Sequence, residues 1–163
     1  MLAELAEGLH LEMTTYQIYA LFFLLGSLAV SSISDIKKTA AQKEFFHFWI
    51  IFTLVMFVVD LYPRLVTGGG ITMFSAKWGL IVAFSVLSSR KVGVLFGLAK
   101  MDVAAVAAVS SLFNIYTLVV FYVLLKVISL VQRPLLSSGK RYPFLPVVLT
   151  SAAVVLLSNL YFI

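Results

Sequence analysis

The sequence predicts an all-α fold, an integral membrane bundle of six transmembrane helices. Three observations carry this. Of 163 residues, 62% are apolar and only 12% charged, against about 45–50% and about 25% in an average soluble domain. The apolar residues fall into long runs broken by short polar clusters. The cations gather in alternate clusters, as positive-inside topology requires. So much apolar surface cannot be hidden in one small core, which excludes a soluble globular enzyme, and the same composition excludes disorder.

A span needs about 17–25 residues. Span 1 runs from about Tyr16 to Ile33 and ends at SDIKKTAAQKE. Span 2, about Phe45 to Leu61, is closed by Tyr62 and Pro63, because proline disfavours helix in the residue before it. The loop PRLVTGGG follows, then span 3, about Met73 to Leu87, with Lys77 and Trp78 as interface anchors. Span 4 lies within Val92 to Phe113, span 5 covers about Ile115 to Val131, and span 6 about Pro143 to Ile163. Spans 2, 3 and 5 are short and borrow interfacial residues to cross. Residues 1–14 form a short amphiphilic segment outside the membrane. They carry Glu4, Glu7 and Glu12 without a cation, unlike a cleaved secretory leader. The whole chain reads as one mature domain.

Charge decides that spans 4 and 5 are separate at Asn114. With six spans, one side of the membrane holds Lys37, Lys38, Lys43, Arg90, Lys91, Arg133, Lys140 and Arg141, and the other holds Arg64 and Lys77. This places the basic loops in the cytoplasm and both termini outside. The net charge of +5 is therefore a topology signal and points to no nucleic-acid partner. There is no cysteine, which removes disulfides, thiol nucleophiles and cysteine zinc sites. The two histidines, His10 and His47, lie far apart in polar flanks. They do not suggest a metal site or a serine relay, and no cofactor is expected.

The chain has three aspartates, Asp35, Asp60 and Asp102. An ionised carboxylate at the centre of a membrane helix costs about 2.5–3.5 kcal/mol. Asp60 reads as a solvated helix end. Asp35 and Asp102 fall on the same, cytoplasmic, side. Each has a bland reading, an ion pair with Lys37 or Lys38 for Asp35 and with Lys100 or Lys126 for Asp102. Together they offer specific chemistry. Two neighbouring carboxylates cannot easily both ionise, so the pair presents a general acid and a general base at once. With water between them, that is aspartic-protease chemistry. In span 4, Ala104, Ala105, Ala107, Ala108 and Ser111 make a small-residue face, either for helix packing or for a substrate helix.

Three stretches resemble the prepilin and preflagellin peptidases, a family of membrane aspartic proteases. SDIKKTA (34–40) is similar to the family's first catalytic segment. GLAKMDVAAVAAVS (97–110) resembles its G-x-G-D motif and the small-residue helix behind it. KRYPFLPVVLTSA (140–152) resembles the proline-containing entry to its last span. The resemblance implies that Asp35 and Asp102 are catalytic, with Gly97, Ala99, Lys100 and Met101 as motif residues beside the substrate. It implies cleavage, at the cytoplasmic face, of a short basic leader from a pilin-like or archaellin-like precursor. The short chain looks more like the archaeal branch. The departures are Ala99 and Met101 at the two motif glycines, Gly97 out of register, and Leu145 where the last motif has glycine. Two rivals stand beside this reading: an inactive membrane scaffold of the same fold, and a small transporter using Asp60, Asp102 and Lys126.

Overall fold

The computed structural model describes residues 15–38, 43–67, 69–136 and 142–161. The amphiphilic segment 1–14 with His10, Thr39 and Ala40 of the first motif, and Lys140 and Arg141 of the third lie outside them.

The described residues form six helices: α1 (Thr15–Lys38), α2 (Lys43–Thr67), α3 (Ile71–Ser88), α4 (Lys100–Leu112), α5 (Ile115–Leu136) and α6 (Leu145–Tyr161). Four contain stretches long and apolar enough to cross a membrane: Tyr19–Lys37, Glu44–Val66, Ile71–Ser88 and Ile115–Leu135. Their outward faces carry Phe22, Phe23, Leu54, Val58, Val82, Val123 and Leu130, all exposed, a surface that suits lipid and not water. The apolar stretch of α6, Leu145–Ser158, is shorter, and α4 has only 13 residues.

Several boundaries differ from the sequence expectation. α1 continues through Asp35 to Lys38, because a polar cluster ends a membrane span without ending a helix. α2 passes Pro63 and reaches Thr67, and α5 passes Pro134 to Leu136. Proline removes one backbone donor and crowds the preceding turn. The Arg64 Nε–H donates to the Asp60 carbonyl at 3.2 Å in that turn, and the chain stays helical. Residues 92–99, which the sequence left open between helix, re-entrant piece and loop, are not helical. α4 and α5 are separate helices, as the charge pattern required, and the break falls at Phe113–Asn114.

The chain divides into two compact units, residues 1–42 with 116–163, and residues 43–115. In the first, α1 packs on α6. Leu21, Leu24 and Leu28 are spaced i, i+3, i+7 and buried, as are Val147, Val148, Ala152 and Val155. Small residues (Ser31 and Ser151 are both fully buried) let these backbones approach. α5 joins them through Gln132 Nε2, which donates to Thr150 Oγ1 at 3.1 Å. In the second unit, α4 packs on α2 and α3 and buries Ala104, Ala105, Val106, Ala108 and Val109. The small-residue face of α4 is therefore a packing face, with Ala107 alone among its alanines only partly buried.

Candidate functional site

The first motif brings its aspartate to the third. Asp35 lies one turn before the end of α1 and is 8% exposed. Its Oδ2 accepts the Leu145 N–H at 3.4 Å. Leu145 opens α6, and the first backbone N–H groups of a helix have no partner within it. A carboxylate there also meets the positive end of the helix dipole. Pro143, Phe144, Leu145 and Pro146 are all buried around this contact. Nearby, the Tyr142 hydroxyl donates to the Ser129 carbonyl at 3.4 Å. Burial pushes the Tyr142 pKa up, which keeps the phenol a donor.

Asp102 lies in the other compact unit, in the first turn of α4. Its Oδ2 accepts the Ala99 N–H at 3.3 Å. This is half of a capping box, since Ala99 has no side-chain oxygen to complete it. Lys100 is exposed at the start of α4, and Met101 and Asp102 are half-buried. Gly97 lies in the preceding loop at φ +68, a left-handed conformation that glycine adopts without cost. A Cβ at Gly97 would meet nothing within 4 Å, so the requirement is conformational. The loop is ordered by backbone bonds: Leu98 N–H to Ser88 O at 2.7 Å, Arg90 N–H to Leu98 O at 2.9 Å and Gly93 N–H to Ser89 O at 2.7 Å. Gly97 thus shapes the approach to α4, and Ala99 and Met101 lie between it and Asp102.

Asp60 corrects the sequence reading. It is not a solvated helix end. Its Oδ2 accepts from Lys77 Nζ at 2.6 Å and from the Trp78 indole N–H at 3.2 Å. Lys77 also donates to the Ser111 carbonyl at 2.8 Å, so it is no lipid-interface anchor. The two side chains are only 18% and 12% exposed. Around them Phe57 meets Trp78 edge to face, 5.0 Å between centroids, and the Arg64 guanidinium lies 5.9 Å from the Phe74 ring centre. Next to Trp78, an apolar cavity of about 330 Å³ opens between α2 and α3, with Ala107 of α4 in its wall. Among the described residues, no group of three His, Asp or Glu side chains forms a metal-ligand set.

Compared with family models, curated proteins and solved structures, the chain matches none.

Proposed function

We propose that the protein is a membrane aspartic endopeptidase similar to the prepilin and preflagellin peptidases, with Asp35 and Asp102 as its catalytic pair. The observation that supports this most is the buried Asp35 carboxylate at the entry to α6. Two of the three stretches that carry the family resemblance meet there, from positions 110 residues apart in sequence. In this reading all six helices are embedded in the membrane, α4 as a half-length element, with both termini outside and the basic loops in the cytoplasm. One aspartate takes a proton from water, whose oxygen adds to the scissile carbonyl. The other, protonated, donates to the carbonyl oxygen, and collapse expels the amine with a proton. The substrate is a pilin-like or archaellin-like precursor cut between a short basic leader and its apolar helix.

The test is cleavage of such a precursor by purified protein in lipid nanodiscs, with Asp35→Asn and Asp102→Asn beside it. Loss of cleavage in both variants is expected. Full cleavage by either one removes the pair.

A second reading, an inactive scaffold of the same fold, is favoured by one specific observation: both carboxylates already serve as acceptors for helix-opening N–H groups. It predicts no processing by the unaltered protein and unchanged cellular function in the asparagine variants.

A further inference from the structure

We propose that Lys77, held by Asp60, is a positioning residue: it grips the carbonyl end of α4 and so fixes the depth at which Asp102 sits. The catalytic consequence rests on the peptidase reading, whereas the mechanical part takes from it only that α4 is embedded in the membrane.

The need for a grip follows from the length of α4. Thirteen residues make about 20 Å of helix, while a hydrocarbon core is about 30 Å thick. An end of such a helix falls within the bundle, where its last carbonyls find no water. Among the described residues, Phe113 N–H donates to Ser110 O at 3.2 Å and Lys77 Nζ to Ser111 O at 2.8 Å. The second of these donors comes from another helix. A cation is also the charge that suits a helix C-terminus.

A bare ammonium would be costly at that depth. The Asp60 carboxylate neutralises it at 2.6 Å, and the Trp78 indole N–H at 3.2 Å holds the same carboxylate oxygen. The clamp therefore ties α2, α3 and α4 together at one level. Asp102 lies nine residues before Ser111, about 13 Å along a straight helix. The stretch between is closely packed, with Ala104, Ala105, Ala108 and Val109 all buried, so a slide of the gripped end moves the other. The opposite anchor, the Ser88–Leu98 backbone pairing, joins α4 through the single extended residue Ala99. Asp102 is held between the two, and the clamp is the anchor that a side-chain substitution removes.

The experiment uses the full chain in nanodiscs and reads three quantities: the rate at which a carbodiimide labels Asp102, hydrogen exchange of the last turn of α4, and kcat and KM on the precursor. Lys77→Met is compared with Lys77→Arg, with the charge-free pair Asp60→Asn/Lys77→Met, and with Thr150→Val. The last removes a hydrogen bond in the other unit and controls for general destabilisation. Both variants that lack the Lys77 cation are expected to label several-fold faster at Asp102 and to lose exchange protection in the last turn. In them kcat should fall about a hundredfold, as misplacement by about 1 Å can cause, with KM little changed. Lys77→Arg should restore all three, and Thr150→Val should leave Asp102 labelling as it was. If Lys77→Met does not fold, the charge-free pair carries the test. Asp102 labelling that stays unchanged in the folded variants lacking the cation overturns the clamp. Faster labelling in a protein that never cleaves keeps the clamp and removes the peptidase.

Discussion

Replacing Asp35 separates its two candidate roles, because asparagine keeps one and alanine keeps neither. The Asp35 side chain accepts the first N–H of α6 at 3.4 Å, at a backbone whose Leu145 side chain is fully buried. Asparagine caps helices about as well as aspartate, while alanine at a cap costs about 0.5–2 kcal/mol. A buried donor left without an acceptor costs about 1–3 kcal/mol. At 3.4 Å the bond is long, which favours the low end. Asp35→Ala should therefore destabilise by about 1 kcal/mol and Asp35→Asn by less than about 0.5 kcal/mol. The assay is reversible denaturation in mixed micelles, run beside precursor cleavage. Equal destabilisation by the two substitutions would refute the capping argument. If the carboxyl group performs proton transfer, cleavage disappears in both variants even though Asp35→Asn stays folded. A stable, fully active Asp35→Asn would refute the catalytic role while leaving the cap intact.

Other expectations concern the second unit. Gly97→Ala must hold a left-handed φ of +68 and should cost about 1–2 kcal/mol. Gly97→Asn should cost less, since asparagine tolerates that region. Gly70→Ala should cost more than Gly97→Ala, because its Cβ would also lie 2.6 Å from Arg64 Nη1 and disturb the Arg64 bond to the Gly70 carbonyl. Equal denaturation free energies at the two glycines would contradict the steric part. Lys77→Met strands a largely buried carboxylate and should cost about 3 kcal/mol, the low end for a broken buried pair. Adding Asp60→Asn should recover much of that loss, and a double variant no more stable than the single would refute it.

Helix identity was legible because apolar runs and charge clusters are long-range features of composition. Helix ends were not, because the cues that end a membrane span differ from those that end a helix. SDIKK leaves the apolar run yet stays helical, and Pro63 and Pro134 sit inside helices whose other turns remain bonded. The loop at 92–99 hid inside an apolar run. Its left-handed Gly93 and Gly97 were the local signal of a turn. The Asp60–Lys77 clamp was readable in principle. Asp60 lies nine residues before Gly69 and Lys77 eight after it, so a tight glycine turn between antiparallel helices places opposite charges at one depth. Asp60 instead read as a helix end because Pro63 suggested that α2 stopped there. The meeting of Asp35 with Leu145 could not be read from spacing, since it depends on how α1 packs against α6.

The absence of cysteine from the sequence permits a background-free measurement of the pair itself. Asp35→Cys/Asp102→Cys can be treated in native membranes with a mild oxidant and with bifunctional thiol reagents of graded length, with and without bound precursor. A disulfide needs Cα atoms within about 7 Å. Two carboxyl groups that share one water predict rapid cross-linking by the shortest reagent, faster when the precursor is bound. Cross-linking that fails with every length, precursor present or absent, while each single cysteine still reacts with a monofunctional thiol reagent, would contradict it.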